Sequence, residues 1–459
     1  MSTLTDPPKG SFRPSQLLYD TRYRSITIQV IAAILILLGM GWLVNNTIDN
    51  LQALGKDFNF GFVRSVAGYD INQMLVDYDN QQTHGRAALV GILNTLLVAA
   101  LGCITATVLG VIAGVLRLSK NWIVNKLMAV YVEGFRNVPL LLWIILIFAI
   151  MTESMPAPNK FRGDNPEASM SLFDSVAVTN RGVYIPALLF ANGPSTTLSA
   201  SETVANLDAW KDRRRAEVRD DGILVRTWMS FTTLPARTYV AAVQSGFIDW
   251  MVILGTLAIS FFGARAVKRR ALQTQIDTGV LPTTWHIRLA IWVIPTAIAM
   301  YLMGATINYP SLSGFNFSGG MHLRNSLIAL WLALSLYTGA FIAEVVRAGI
   351  LAVSKGQTEA AFALGIQPSR TMNLVILPQA LRVIIPPLIS QYLNLTKNSS
   401  LAIAVGYMDV RATLGGITIN QTGRELEGML LLGLFYLTLS LLISAVMNIY
   451  NNSTQLQER

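Results

Sequence analysis

The strongest constraint on this chain is a series of long apolar runs, because an α-helix needs about 20 mostly apolar residues to cross a bilayer. Charged residues make up only 13% of the 459 residues, about half the share of a soluble globular chain. The fold class that we predict is therefore an all-α polytopic membrane protein with about eight transmembrane helices. The predicted spans are residues 26–44, 87–116, 132–151, 247–264, 289–307, 326–346, 380–400 and 428–448.

Two of these runs are less regular than the others. In the third, the uncharged stretch 138–151 is only about 21 Å long at 1.5 Å per residue, so this helix must begin earlier or lie tilted under its neighbours. The seventh contains Pro386, Pro387, Asn394 and Lys397. Such residues are tolerated inside a span where they face protein or a water-filled path, and we expect that of the seventh span.

Lys and Arg are distributed unevenly among the loops. With the N-terminus in the cytoplasm, the cytoplasmic segments hold more than twice as many basic residues as the short outer loops, which follows the positive-inside rule. An even number of spans then leaves both termini in the cytoplasm and places the loop 347–379 on the same side. Topology therefore accounts for the net charge of +9, and we expect no nucleic-acid partner.

The sequence shows no motif for chemistry of its own. A phosphate-binding loop needs a Gly-rich turn followed by Lys and Ser or Thr, and Gly55-Lys56-Asp57 lacks the hydroxyl and the upstream glycine. Neither H-E-x-x-H nor C-x-x-C occurs, and the three histidines are far apart. We expect no catalytic residue, no metal site and no bound cofactor. Uphill transport would have to be driven by an ion gradient or by another subunit.

The loop after the sixth span combines helix formers with glycine and proline. Residues 358–364 predict a short helix. Gly365 can end that helix by adopting a positive φ, and Pro368 suits the first turn of a second one. The pattern predicts a helix–turn–helix beside the membrane, with Ala360 and Ala361 as a low surface that another protein can approach. A plain helical hairpin between spans is the alternative.

This loop resembles the signature loop of the transmembrane subunits of binding-protein-dependent ABC importers: E-A-A, three residues, G, nine residues, I-x-L-P. Val375 stands where isoleucine is usual. The matching residues are Glu359, Ala360, Ala361, Gly365, Leu377 and Pro378. Further blocks resemble the polar amino-acid branch of that family: 94–96, 116–119, 131–141, 343–350, 355–357, 377–382 and 394–401. The resemblance covers about 87–151 and 326–450.

The resemblance implies a type I (MetI-like) ABC-importer permease core in the bacterial inner membrane. An N-terminal extra span and a large insertion resemble the Q-type subunit of general L-amino-acid importers (the HisM-like subfamily). The implied parts are a cytoplasmic N-terminus (1–25), an extra first span with its outer loop (26–86), the first part of the core (87–151), an extracytoplasmic insertion (152–246), two inserted spans (247–325), the second part of the core (326–450) with the coupling loop 355–378, and a cytoplasmic tail (451–459). For 152–246, an insertion without a specific partner, a docking surface and disorder stay open.

The implied function is import of L-amino acids by alternating access. The implied partners are cytoplasmic ABC ATPase subunits, a second and non-identical permease subunit, and a periplasmic amino-acid-binding protein. ATP and Mg²⁺ belong to the ATPase. The helix 358–364 is implied to lie in a groove of the ATPase and to move with it as a rigid body, with Glu359 paired to a basic residue there.

Polar residues inside spans are candidates for the substrate path. They are Asn94, Thr95, Glu344, Asn394, Lys397 and Asn398. Two alternatives stay open: Glu344 and Arg347, three residues apart, can form a structural ion pair, and Lys397 can reach the outer interface. Gly110 and Gly114 favour close helix packing.

Two other classes of protein compete with the importer. A secondary transporter or channel would need acidic residues or histidines deep in the spans and an inverted repeat, and neither is visible. A membrane anchor or sensor would act through 152–246. The sequence leaves open which amino acids are carried.

Overall fold

The computed structural model describes residues 21–53, 55, 58–162, 167–217, 225, 228–229, 232–244, 246–280 and 282–454. The chain forms two units, Met1–Val63 and Arg64–Arg459. The first unit contains helix α1 (Thr21–Ala53), which covers the predicted first span.

The second unit is mostly helical and also contains short strands. Its described helices are α2 (His84–Leu116), α3 (Trp122–Asn137), α4 (Leu140–Glu153), α5 (Pro194–Ser199), α6 (Glu202–Glu217), α7 (Leu234–Gln244), α8 (Phe247–Thr278), α9 (Trp285–Leu302), α10 (Asn325–Leu351), α11 (Lys355–Ala363), α12 (Pro368–Thr371), α13 (Leu377–Asn398), α14 (Val410–Ala412), α15 (Ile419–Thr422) and α16 (Glu425–Thr454). Its strands are β1 (Ala177–Thr179), β2 (Gly182–Ile185), β3 (Ala187–Phe190), β4 (Ala305–Asn308), β5 (Ser311–Ser313), β6 (Asn316–Ser318) and β7 (Met321–Arg324).

Among the described residues, seven helices are long and apolar enough to cross a membrane, and the pair α3–α4 makes an eighth if it is one span. The predicted helical, polytopic class is confirmed. A continuous helix over the predicted third span, 132–151, is wrong, because α3 and α4 meet at 107°. The cause is Val138-Pro139: a residue before proline disfavours the helical conformation, and proline itself cannot donate a backbone hydrogen bond.

The helices α2 and α10 form the centre of the core, and α3, α4 and α13 pack around α10. Two glycines of α2 allow this helix to approach α10 closely. A Cβ on Gly110 would lie 2.6 Å from Ile342 Cβ, and one on Gly114 would lie 2.6 Å from the carbonyl oxygen of Ala343. The close packing predicted for Gly110 and Gly114 is confirmed.

The insertion contains a small β-rich segment that a purely α-helical prediction missed. The antiparallel order β1-β2-β7 pairs Tyr184 with His322, and β3 pairs with β4. The strands are three or four residues long, too short to produce a detectable alternation of apolar and polar residues. Main-chain hydrogen bonds thus join 177–190 to 305–324, and the hairpin α8–α9 extends from this segment.

Candidate coupling and transport site

The loop after α10 forms a short helix that ends at a left-handed glycine. In a Schellman motif, the N–H of Ile366 donates to the carbonyl of Ala361 at 3.1 Å, and the N–H of Gly365 donates to that of Phe362 at 2.9 Å. Gly365 has a φ of 74°, a conformation that residues with a Cβ adopt only at an energetic cost. The predicted helix and its glycine stop are confirmed.

The helix α11 presents an exposed surface that is both apolar and acidic. Glu359 and Ala360 are exposed, whereas Ala361 is buried. The prediction that Ala361 is part of an approachable surface is therefore wrong, because its side chain faces the inside of the loop. The large side chains of Phe362 and Leu364 are 49% and 79% exposed. This loop lies outside the candidate spans. Exposed apolar groups of this kind are a feature of protein-binding surfaces, and binding of another protein here stays a prediction.

One helical run joins this loop to the seventh span. It extends from Pro368 to Val405 and includes a π-helical turn at Met372–Ile376. Pro378 lies in the first turn of α13, and the wider turn before it accommodates a residue that cannot donate a backbone hydrogen bond. Because α11 packs against this π-helical turn, the two halves of the motif lie close together. Leu377 is 39% exposed.

Asn94 and Thr95 hold one end of α2 to the segment after α13. Both side chains are fully buried. The Nδ2 of Asn94 donates to the carbonyls of Gln73 at 2.7 Å and Met408 at 2.9 Å, and the backbone N–H of Val410 donates to Thr95 Oγ1 at 3.1 Å. These bonds give both residues a structural role, and their place on a substrate path stays a prediction.

The polar residues of α13 lie together at one end of that helix. Leu395 packs beside Gly102, because a Cβ on Gly102 would lie 3.1 Å from Leu395 Cδ2. Asn94 is eight residues from Gly102, about 12 Å along α2. Leu395 therefore lies about 12 Å along α2 from Asn94. Asn394 and Lys397 are exposed, and Asn398 is half-buried.

Glu344 lies in an ion-pair cluster that joins three helices. Its Oε1 is 2.5 Å from Arg347 Nη2, and its Oε2 contacts Nη1 of Arg117, directly after α2. A second nitrogen of Arg117 lies 3.3 Å from Glu133 Oε1 on α3. The ion pair of Glu344 with Arg347 is confirmed, and a role in the substrate path stays a prediction. The contact with Arg117 has no sequence signal, because the two residues are 227 positions apart.

We expect a double-mutant cycle of Arg117→Met and Glu344→Gln to give a coupling energy of about 1–2 kcal/mol. The side chain of Arg117 is only 14% exposed, so losing one partner leaves a poorly solvated charge. Unfolding of the detergent-solubilised chain would measure it. The control cycle, Lys160→Met with Glu167→Gln, removes a pair with 45% and 70% exposed side chains and should give a coupling energy near zero. Equal coupling energies in both cycles would show that the ion pair of Arg117 with Glu344 does not stabilise the fold more than a surface pair.

Asp409 is a buried carboxylate in the segment between α13 and α16. Its Oδ1 accepts the backbone N–H of Ala412 at 2.8 Å, which caps α14. Burial raises the pKa of Asp409 to about 7, and hydrogen bonds from backbone N–H groups and the charge of Arg411 oppose this shift. The folded-state pKa lies above that of an unfolded aspartate, so the folded state is stabilised in acid. That stability is lost as the pH rises through about 7.

Asp409→Asn should remove this pH dependence, because asparagine can still cap the helix but does not titrate. We expect the wild-type chain to lose about 2–3 kcal/mol more stability than the variant between pH 5 and pH 8. Thermal unfolding across this pH range measures the difference. Asp277→Asn, at an exposed position, is the control and should follow the wild type. Parallel curves for wild type and Asp409→Asn would refute the assignment.

A multi-pass helical core with an exposed, capped helix in one loop is the architecture expected of a transport subunit that works with a separate driving protein. The model of the family described as the binding-protein-dependent transport system inner membrane component matches residues 252–455. The chain belongs to the permeases of amino-acid ABC importers.

Three relatives match nearly the whole chain. It is 52% identical over 467 residues to the glutamate/glutamine/aspartate/asparagine transport system permease protein of Rhodobacter capsulatus, with 100% of both chains covered. It is 39% identical to a putative amino-acid ABC transporter permease of Escherichia coli, with 95% of each chain covered. It is 37% identical to the general L-amino acid transport system permease protein of Rhizobium johnstonii, covering 98% of this chain and 96% of the relative.

These findings establish the general role of the chain. It is a multi-pass permease subunit of the inner membrane in an ABC importer for amino acids, and ATP hydrolysis belongs to a separate subunit. The predicted class of function is confirmed, and secondary transport and membrane sensing are excluded as the principal role. Membership implies an ATPase and a binding protein as partners, in a family whose permeases typically bind no cofactor.

Proposed function

We propose that this permease imports glutamate, glutamine, aspartate and asparagine, driven by an ATPase that binds α11. The observation that supports this substrate class is the identity of 52% along the full length of a relative named for those four amino acids. The relative named for general L-amino acids is 37% identical, so a broader range is the second candidate.

In the proposed coupling, α11 lies in a groove of the ATPase. Phe362 and Leu364 become buried there, Ala360 permits close approach, and Glu359 pairs with a basic residue of the partner. The Schellman motif at Gly365 fixes the direction of α11 relative to the π-helical turn before Leu377 and Pro378. Motion of the ATPase is then passed directly to the seventh span.

The proposed orientation places both termini and the loop after α10 in the cytoplasm. The distribution of Lys and Arg supports it. The segment 152–246 then lies outside, on the side where a periplasmic binding protein delivers its amino acid. A second, non-identical permease completes the membrane-spanning part, and the exposed end of α13 faces the passage between the two permeases.

Lys397 is the residue that we assign to the side-chain carboxylate of glutamate and aspartate, together with Asn398 and with Asn394 beside it. An ammonium group is the complement that an acidic amino acid needs in a site of low polarity. Asn94, Thr95 and Glu344 act further from the substrate, through the helix contacts described above.

Lys397→Gln should therefore lower glutamate uptake at least about tenfold and glutamine uptake less, because glutamate carries the extra negative charge. Initial rates of both substrates measure the ratio. Lys160→Gln changes an exposed lysine of the outer segment and should alter neither rate. An equal loss for the two substrates would contradict a direct role for Lys397.

The decisive experiment is uptake in proteoliposomes that contain this chain, the second permease, the ATPase and the binding protein. We expect glutamate to accumulate only with ATP on the ATPase side, and unlabelled glutamine, aspartate and asparagine to compete. Competition by arginine and leucine of equal strength would instead support the general range. Accumulation by this chain alone without ATP would refute the proposal.

A further inference from the structure

In the hairpin α8–α9, basic residues of both helices lie at a similar height along the helix axes. Phe261 contacts Trp292 edge to face with ring centroids 6.5 Å apart, and a Cβ on Gly263 would lie 3.3 Å from Ile291 Cγ2. This register fixes which residues of the antiparallel pair lie side by side. Arg288 is three residues before Ile291.

The basic residues follow immediately after this contact. Arg265 is two residues beyond Gly263, about 3 Å along the axis, and Arg288 is about 4.5 Å beyond Ile291 in the same direction. The two guanidinium-bearing residues therefore lie at nearly the same height. The cluster consists of five exposed residues: Arg265, Lys268, Arg269, Arg270 and Arg288.

No neighbouring carboxylate neutralises this cluster. Between 265 and 288 the only acidic residue is Asp277, at least seven positions beyond the basic residues of α8. In the described part of the chain, none of the five forms an ion pair. The cluster thus presents uncompensated positive charge.

The dimensions of the hairpin put this charge at the membrane surface. α8 has 32 residues, about 48 Å, whereas the hydrocarbon core is about 30 Å thick. Its apolar part precedes Arg265, so the basic residues lie where the helix leaves the hydrocarbon. Trp285 is 68% exposed beside them, and tryptophan is enriched at the headgroup level.

We infer that this cluster binds the headgroups of anionic phospholipids in the cytoplasmic leaflet. Clusters of four to eight basic residues directly beyond a span attract anionic lipid headgroups. The charge complementarity favours a lipid, because none of the five side chains forms an ion pair with the residues that the structure describes. The bound lipids anchor a hairpin that the structure shows packed chiefly against itself and the outer segment. This inference rests on the proposed orientation.

The test compares phosphatidylglycerol with phosphatidylcholine. The purified full-length chain in neutral detergent is titrated with each lipid, and native mass spectrometry counts the lipids bound per chain. We expect the wild type to retain phosphatidylglycerol preferentially. The variant R265Q/K268Q/R269Q/R270Q should bind phosphatidylglycerol at least about tenfold more weakly, with phosphatidylcholine unchanged.

A matched control removes basic residues that are not part of the cluster. K211Q/R213Q/R214Q lies on α6, where Lys211 and Arg214 are already paired with acidic residues, and it should bind phosphatidylglycerol like the wild type. Should the quadruple variant not fold, R269Q/R270Q serves instead, with an expected loss of at least about threefold. Undiminished phosphatidylglycerol binding by the folded variant, or equal loss in the control, would overturn the inference. Failure of ATP-driven uptake by the wild-type complex would contradict the proposed function and not the lipid site.

Discussion

Replacing Gly365 with valine should reduce ATP-driven amino-acid uptake at least about tenfold while the permease stays folded in the membrane. Gly365 has a φ of 74° and no atom within 4 Å of a Cβ at that position, so the Cβ of valine meets no clash. What valine disfavours is the left-handed conformation itself, by at least about 1–2 kcal/mol. The Schellman motif then opens and α11 loses its fixed direction. Uptake in proteoliposomes and co-purification of the ATPase measure the effect.

Gly356→Ala is the matched control, because it adds a methyl group to the same helix without a change of backbone conformation. The nearest atom to a Cβ there is Ser354 Oγ at 3.9 Å, and alanine favours a helix over glycine by about 1 kcal/mol. We expect normal uptake. Normal uptake and ATPase binding by Gly365→Val would show that the left-handed turn is not needed for coupling.

Gly110→Ala combined with Gly114→Ala should destabilise the folded permease by about 2–5 kcal/mol. Each new Cβ would lie 2.6 Å from a neighbouring atom of α10, so the two central helices must separate and their other contacts loosen. We expect a lower melting temperature in detergent and less chain in the membrane fraction.

The control for this pair is Gly433→Ala on α16, where no atom lies within 4 Å of a Cβ. It should leave the melting temperature within about 2 °C of the wild type, because a surface substitution changes stability by about 0.5 kcal/mol or less. A double variant at Gly110 and Gly114 as stable as this control would mean that α2 and α10 are further apart than the structure shows.

Features that depend on neighbouring residues could be predicted from the sequence. The apolar runs predicted the spans, the four-residue spacing of Gly110 and Gly114 predicted a helix contact, and Gly365 predicted the end of a short helix. In each case the residues that determine the structure are neighbours in the sequence. The coupling loop was recognised for the same reason, since its residues are close in sequence and in space.

Features that depend on distant parts of the chain could not be predicted. The pairing of Tyr184 with His322 joins strands of four residues on opposite sides of an inserted hairpin. The contact of Arg117 with Glu344 and the bonds of Asn94 link helices whose register no local pattern specifies. The break at Pro139 was visible as a short third run, but the bend of 107° depends on how α3 and α4 pack against α10.

The helical run from Pro368 to Val405 can act as a lever, because its first residues lie next to α11. From Pro368 to Lys397 it measures about 44 Å at 1.5 Å per residue. A rotation of roughly 5° about its lower end would therefore displace Lys397 by about 4 Å, the distance over which an ammonium and a carboxylate form or lose an ion pair. Pro386 and Pro387 lie between the two ends, so on the proposed mechanism the stiffness of the helical run at these prolines determines how much of that rotation reaches Lys397.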